Sequence, residues 1–272
     1  MRKDVQICGE EVGYFAKILT YPDGRYDLMA SSHRVFKPQK PKPPREPRQP
    51  RDGQKTIHQE KKPKGKAADL ERAQSRARAS VRRIALANPD FRWFVTLTID
   101  PEKIDSYDAA ACTKRLGQWL SNHVKRNGLK YVLVPELHKS GRIHYHGFMN
   151  DVLHAVDSGH TDRGGHVVYN LPEWDYGFTT AIEVYGDYHA AVGYCCKYIG
   201  KGSQKIGGRW YYSGGNLSKP VEKFVDIPYT WVLEQQTEEF VEEYGQGWIK
   251  GTPAGIFAGI NGLNKEVWFY ED

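Results

Sequence analysis

The tightest constraint on what this 272-residue chain can fold into is Lys139-Ser140-Gly141, set between two strand-like runs at residues 130–138 and 142–150. A three-residue hairpin loop with glycine in the left-handed last position is a common link between antiparallel strands. It pairs His138 with Arg142 and fixes the register of every pair behind it. Glu136 then opposes His144, and Val134 opposes His146. Side chains alternate between faces with a period of two, so Glu136, His144 and His146 emerge together on one face of adjacent strands.

One carboxylate and two imidazoles suit a divalent cation with positions left open for substrate oxygens. Mg²⁺ or Mn²⁺ is therefore the expected cofactor, with His138, two residues further along the same face, as a reserve ligand. The same residue types also occur as ordinary exposed strand residues, and that reading stays open.

A second constellation lies at residues 194–201, YCCKYIGK. At 3.6 residues per turn, Tyr194 and Tyr198 share a helical face, with Lys197 and Lys201 beside them. A phenol with a reference pKa near 10 is a weak nucleophile at neutral pH and needs cations to favour phenolate or to neutralise charge on a phosphate. Two lysines and a metal supply such cations. An aromatic surface stripe is the plain alternative. Cys195 and Cys196, beside Val192 and Ile199, read as small packing residues.

Between these motifs the chain alternates strands and helices. Residues 92–99 form a strand with Thr96 and Thr98 on one face and Trp93, Val95 and Leu97 on the other. Residues 108–126 form an amphipathic helix through Cys112, Leu116, Trp119, Leu120 and His123, ended by Asn127-Gly128, with His123 packed rather than ligating. Residues 67–87 form a helix rich in arginine, Arg82 and Arg83 included, stopped at Asn88-Pro89. Residues 151–174 read as a polar surface insertion, 178–185 as a strand, and Asp187 as the cap of the tyrosine helix. Trp210, Tyr211 and Tyr212 suit either an edge strand or base stacking.

Charge divides the chain differently. Residues 1–90 carry 21 Lys and Arg against 11 Asp and Glu, residues 91–221 carry 15 against 12, and residues 222–272 carry 3 against 10. A basic front suggests a polyanionic partner. Residues 34–66 hold seven prolines and twelve basic residues, a composition that cannot bury enough apolar surface to order itself. The expected organisation is a small hairpin region at 1–33, a basic proline-rich linker at 34–66, a catalytic domain at 67–221 and an acidic extension at 222–272 with a helix near 230–244. No apolar run is long enough for a membrane span and no signal peptide is evident, so a bacterial cytoplasm is expected. Four cysteines form no CxxC pair, and no GxxxxGK[ST] marks a P-loop helicase.

FVTLT at 94–98, HYH at 144–146 and YCCKY at 194–198 stand in an order that resembles the three motifs of HUH endonucleases. Tyrosines that follow the histidines resemble rolling-circle replication initiators rather than conjugative relaxases, and the tyrosine pair resembles the two-tyrosine phage and plasmid type. The resemblance implies an α+β fold with a central, mostly antiparallel, ferredoxin-like sheet and helices on one face. It implies a site-specific nickase and strand transferase acting through a 5′-phosphotyrosine. Tyr194 and Tyr198 would alternate as nucleophiles aided by Lys197 and Lys201, with metal on Glu136, His144 and His146. Thr96, Thr98, Arg82, Arg83 and Arg142 are the candidate DNA contacts. The implied partners are single-stranded origin DNA in a hairpin, a host helicase and a DNA polymerase, with no membrane. A non-catalytic origin-binding protein, a transposase of the same chemistry and a zinc hydrolase are the rival readings.

Overall fold

The computed structural model describes residues 7–8, 11–38, 66–184, 186, 188–201, 205–225, 246–252 and 255–262. The chain divides into two compact units, Met1–Lys62 with Pro220–Asp272, and Pro63–Lys219.

Among the described residues the first unit is a six-stranded antiparallel sheet. Strands β1 (Ile7–Cys8), β2 (Glu11–Thr20) and β3 (Tyr26–Pro38) come from the N-terminal side. The Tyr21-Pro22-Asp23-Gly24 turn joins β2 to β3, with Gly24 at φ 81° and its N–H donating to Tyr21 O at 3.0 Å. The sheet is completed from the other end of the chain, where Val221–Val225 pairs with β2 and Gly255–Gly262 pairs with β3. The division into an N-terminal hairpin and a separate acidic extension therefore joins into one sheet, because pairing between segments two hundred residues apart leaves no local signal. The helix expected near 230–244 and most of the linker lie outside the described residues.

The second unit is built on a seven-stranded antiparallel sheet. In chain order its elements are α1 (Lys66–Leu86), β4 (Phe91–Thr98), α2 (Ala109–Asn127), β5 (Tyr131–Leu137) and β6 (Ile143–Asn150). They continue with β7 (Val156–Thr161), β8 (Val167–Asn170), β9 (Thr179–Glu183), α3 (Tyr188–Lys201) and β10 (Tyr212–Gly214). The remaining strands of the first unit are β11 (Val221–Val225), β12 (Gln246–Thr252) and β13 (Gly255–Gly262). Strand order across the large sheet is β10-β5-β6-β4-β9-β8-β7, an α+β architecture with the β5–β6 hairpin near its middle.

Alternation along β4 decides what each face of this sheet meets. Trp93, Val95 and Leu97 are buried in the core with Cys112, Leu116, Trp119 and Leu120 of α2. Each such side chain contributes about 1.5–3 kcal/mol by burial. Asp108 caps α2 by accepting from the N–H groups of Ala110 and Ala111, and Gly128 ends it at φ 71°. On the opposite face Phe94 and Phe148 meet α3 through Tyr194 and Tyr188. Helices thus cover both faces, not one, because both sides of the strand alternation carry apolar residues that must be buried. Of α3, Val192, Cys195 and Ile199 are buried, and α1 docks alongside, with Tyr188 donating to Ala85 O at 2.8 Å.

The segment 151–174 is more than a surface insertion. It supplies β7 and β8 to the sheet, and its Leu153, Leu171 and Trp174 enter the core. Trp174 packs edge-on to Trp119 at 5.2 Å and donates its indole N–H to Thr98 O at 2.8 Å. Three apolar residues scattered among polar ones give no periodic pattern, so their burial is visible only once the sheet exists.

Candidate functional site

The hairpin turn forms as its residues require. Gly141 sits at φ 83°, its N–H donating to His138 O, and His138 N–H donates to Arg142 O, both at 2.8 Å. A residue with a Cβ would be strained there. From that turn the register runs Glu136 opposite His144 and Val134 opposite His146, and β4 adds Thr98 opposite His144 and Thr96 opposite His146. Two cross-strand rows therefore lie on the face covered by α3.

His146 is the centre of the site. Its Nε2 lies 2.8 Å from Glu136 Oε2, and its Nδ1 lies 3.1 Å from Thr96 Oγ1. Both side chains of the Glu136–His146 pair are largely withdrawn from solvent. A threonine hydroxyl both donates and accepts, so Thr96 can serve either tautomer of this imidazole. With a proton on Nε2 the ring donates to Glu136, and with a proton on Nδ1 it donates to Thr96 and frees Nε2 as a lone-pair donor.

His144 shares the face but points elsewhere. Its ring centroid is 6.2 Å from that of His146, and it stacks on His138 at 5.1 Å with the planes 10° apart. Burial, then the neighbouring His138 and Arg142, push its pKa below the ordinary histidine value, against the opposing pull of Glu136. It is held neutral, the form that ligates metals. The donor types thus fit a divalent cation. Their arrangement is a contacting pair with a neighbour, and among the described residues no three His, Cys, Asp or Glu side chains converge at ligating distances. A third bond requires the His144 ring to leave His138.

Helix α3 lays its tyrosines on this strand. The Tyr198 ring stacks on the His146 ring with centroids 4.1 Å apart and planes 8° apart. Its hydroxyl donates to Tyr194 Oη at 2.8 Å. The two tyrosines differ sharply in access, with Tyr198 8% and Tyr194 50% exposed. Burial first, then the hydrogen bond to Tyr194 and the nearby Tyr194 and Glu136, push the Tyr198 phenol far above its ordinary range. Tyr198 keeps its proton and offers it to Tyr194. Tyr194 rests edge-on against Phe94 at 5.9 Å, and Lys197 Nζ lies 5.9 Å from its ring centroid.

The cysteines of this helix are held as thiols. Cys195 lies against the carbonyl of His146, and burial raises the thiol pKa of both, that of Cys196 to about 11. They pack, as their small apolar neighbours suggest.

Other residues singled out from the sequence fall at varied places. Thr98 does not point its hydroxyl at substrate, because it donates to Phe178 O at 2.8 Å and accepts from Phe178 N–H at 3.0 Å. Arg142 is exposed at the hairpin beside His144, Arg82 lies near Cys196, and Arg83 is half-buried in the last turn of α1. Lys201 ends α3, and its side chain lies outside the described residues, as does Asp187. His123 packs on Trp119 at 4.5 Å, away from this face. Tyr212 is buried in the edge strand β10, so it is a core residue and not a stacking surface. Phe94 and Phe178 were not legible as site residues, since each reads simply as a strand aromatic.

Residues 92–203 match the model of a family of replication-associated proteins of the ORF2 type. The matched span begins in β4 and ends beyond α3, so it contains Thr96, the β5–β6 hairpin and both tyrosines. The match supports a replication-initiator role. No curated protein and no solved structure matches the chain.

Proposed function

We propose that this chain is a metal-dependent, site-specific single-stranded DNA endonuclease and strand transferase of the two-tyrosine HUH type. It would nick a replication origin through a 5′-phosphotyrosine, and so start and end rolling-circle replication. The observation that carries the reading is the stacking of Tyr198 on His146 with its hydroxyl bonded to that of Tyr194. A helix-borne tyrosine pair lies against the strand that bears the histidines.

Tyr194, the exposed member, takes the role of first nucleophile. Its oxygen attacks the scissile phosphorus in line, the bond from phosphorus to the 3′-oxygen breaks, and the phenol proton ends on the departing 3′-hydroxyl. Tyr198 donates a hydrogen bond to the attacking oxygen in the ground state, and that bond must be released or redirected as attack proceeds. Lys197, beside the Tyr194 ring, lowers the cost of negative charge there. Glu136, His144 and His146 would hold Mg²⁺ or Mn²⁺, which when bound supplies charge neutralisation at the phosphate. Thr96 holds the His146 ring in orientation throughout. The phosphotyrosine conserves the phosphodiester bond, so a free 3′-hydroxyl can reverse the attack without ATP, and Tyr198 remains for a second cleavage.

The test is covalent capture. The protein is incubated with Mn²⁺ and a pool of single-stranded DNA labelled at the 3′ end, the end that stays attached to a 5′-phosphotyrosine product. A labelled band that survives denaturing electrophoresis is expected, and its absence at every metal tested would overturn the reading.

A further inference from the structure

Phe178 is the most exposed large apolar side chain among the described residues, at 78%. Single exposed aromatics are ordinary on protein surfaces. What distinguishes this one is its setting. Its N–H donates to Thr98 Oγ1 at 3.0 Å, while its carbonyl accepts from Thr98 N at 2.9 Å and from Thr98 Oγ1 at 2.8 Å. Two residues back, Tyr176 O accepts from Asp100 N at 2.8 Å. Between them the backbone passes so close to β4 that a Cβ on Gly177 would lie 2.4 Å from Thr98 O and 2.7 Å from Asp100 N. The main chain under the ring is clamped while the ring is left in water.

The ring also belongs to a particular row. Leu97 opposite Thr179 is the last ladder pair of β4 and β9, and the next step puts Phe178 beside Thr98. Thr98 opposes His144, and His144 opposes Glu136. Thr179 is buried on the α2 side, its hydroxyl accepting from Leu171 N at 2.8 Å. Strand alternation therefore puts Phe178 on the other face, at the end of the row that holds Glu136 and His144.

We infer that Phe178 is a stacking platform for a nucleobase of single-stranded DNA lying beside the phosphate at this site. This inference rests on the reading of the chain as a single-strand nuclease. A strand whose phosphate reaches His144 and Glu136 carries its neighbouring nucleotide along the same row, and the first apolar surface there is this ring. A nucleobase presents an apolar face that an aromatic ring can cover, whatever its sequence. The ring's backbone is already fixed, so stacking needs little further ordering.

The test measures binding of two labelled probes in EDTA, where no cleavage intervenes. One is an oligothymidylate of about twenty nucleotides, longer than a single binding site. The other is an abasic strand of the same length. Phe178→Ala should weaken oligothymidylate binding about tenfold and leave abasic binding unchanged, while Phe178→Trp should restore the wild-type preference. Equal binding of both probes by wild type and Phe178→Ala overturns the inference, and so does an equal loss on both. Covalent capture with wild type separates the two levels. An adduct together with an unaffected Phe178→Ala variant sinks only the platform, whereas no adduct and no binding by wild type sinks the nuclease reading as well.

Discussion

The two faces of the seven-stranded sheet are made by the same strands and differ in what they exclude. On the α2 face, Trp93, Val95, Leu97, Leu116 and Trp119 close into a core with water removed throughout. On the α3 face the closure is partial. Phe94 and Phe148 are covered by Tyr194 and Tyr188, but one step along β4 the covering ring is Tyr198 and the strand residues are Thr96 and His146. The difference teaches where chemistry can be placed. A helix that carries tyrosines where leucines would serve packing can still bury its strand, and it brings hydroxyl groups to the boundary between core and solvent.

The comparison breaks most sharply if the tyrosines prove to be packing residues only. Tyr194→Phe with Tyr198→Phe removes two hydroxyls and no apolar surface. Adduct formation in the capture assay should fall about a thousandfold or more, with the circular dichroism spectrum unchanged. Tyr194→Phe alone should account for most of the loss in first cleavage. EDTA should abolish the adduct in wild type as completely.

Leu116→Ala probes the other face. It deletes a fully buried side chain and should cost about 2–5 kcal/mol of stability. Urea unfolding should report that loss, while adduct yield per folded molecule at low temperature stays as in wild type. A parallel loss of activity would mean that the faces are not separable.

Thr96→Val sharpens the boundary itself, since it keeps the shape of a buried strand residue and removes the partner of His146 Nδ1. The Mn²⁺ concentration needed for half-maximal adduct formation should rise about tenfold, with little change in the unfolding midpoint. The smallest effect belongs to Asp108→Ala, which removes the α2 cap and should lower stability by about 1 kcal/mol. Activity should not change.

The hairpin was legible in the sequence because one local feature, glycine after Lys139-Ser140, determines a register that carries every pair from Glu136 to Asn150. The tyrosine helix was legible from its spacing. The asymmetry between its tyrosines was not, because a period of 3.6 gives both the same face and says nothing of Phe94 lying under one and His146 under the other. Likewise the alternation of β4 placed Thr98 on the site's face, but its hydroxyl is engaged by a backbone eighty residues away. The stacking of His144 on His138 escaped for the same reason. Register brings rings to one face, and rotamers decide whether they converge.

The pairing of β13 with β3 has a consequence for how the chain assembles. Leu28 meets Ile260 across that ladder, whereas every strand of the large sheet lies between Phe91 and Gly214. During synthesis from the N-terminus, residues 63–219 can therefore complete their sheet while β2 and β3 still wait for the partners that close theirs. Until then, the free edge of β3 is open to any other extended segment, including β3 of a second nascent chain. The unit bearing the candidate site can fold early, and the terminal sheet must form late.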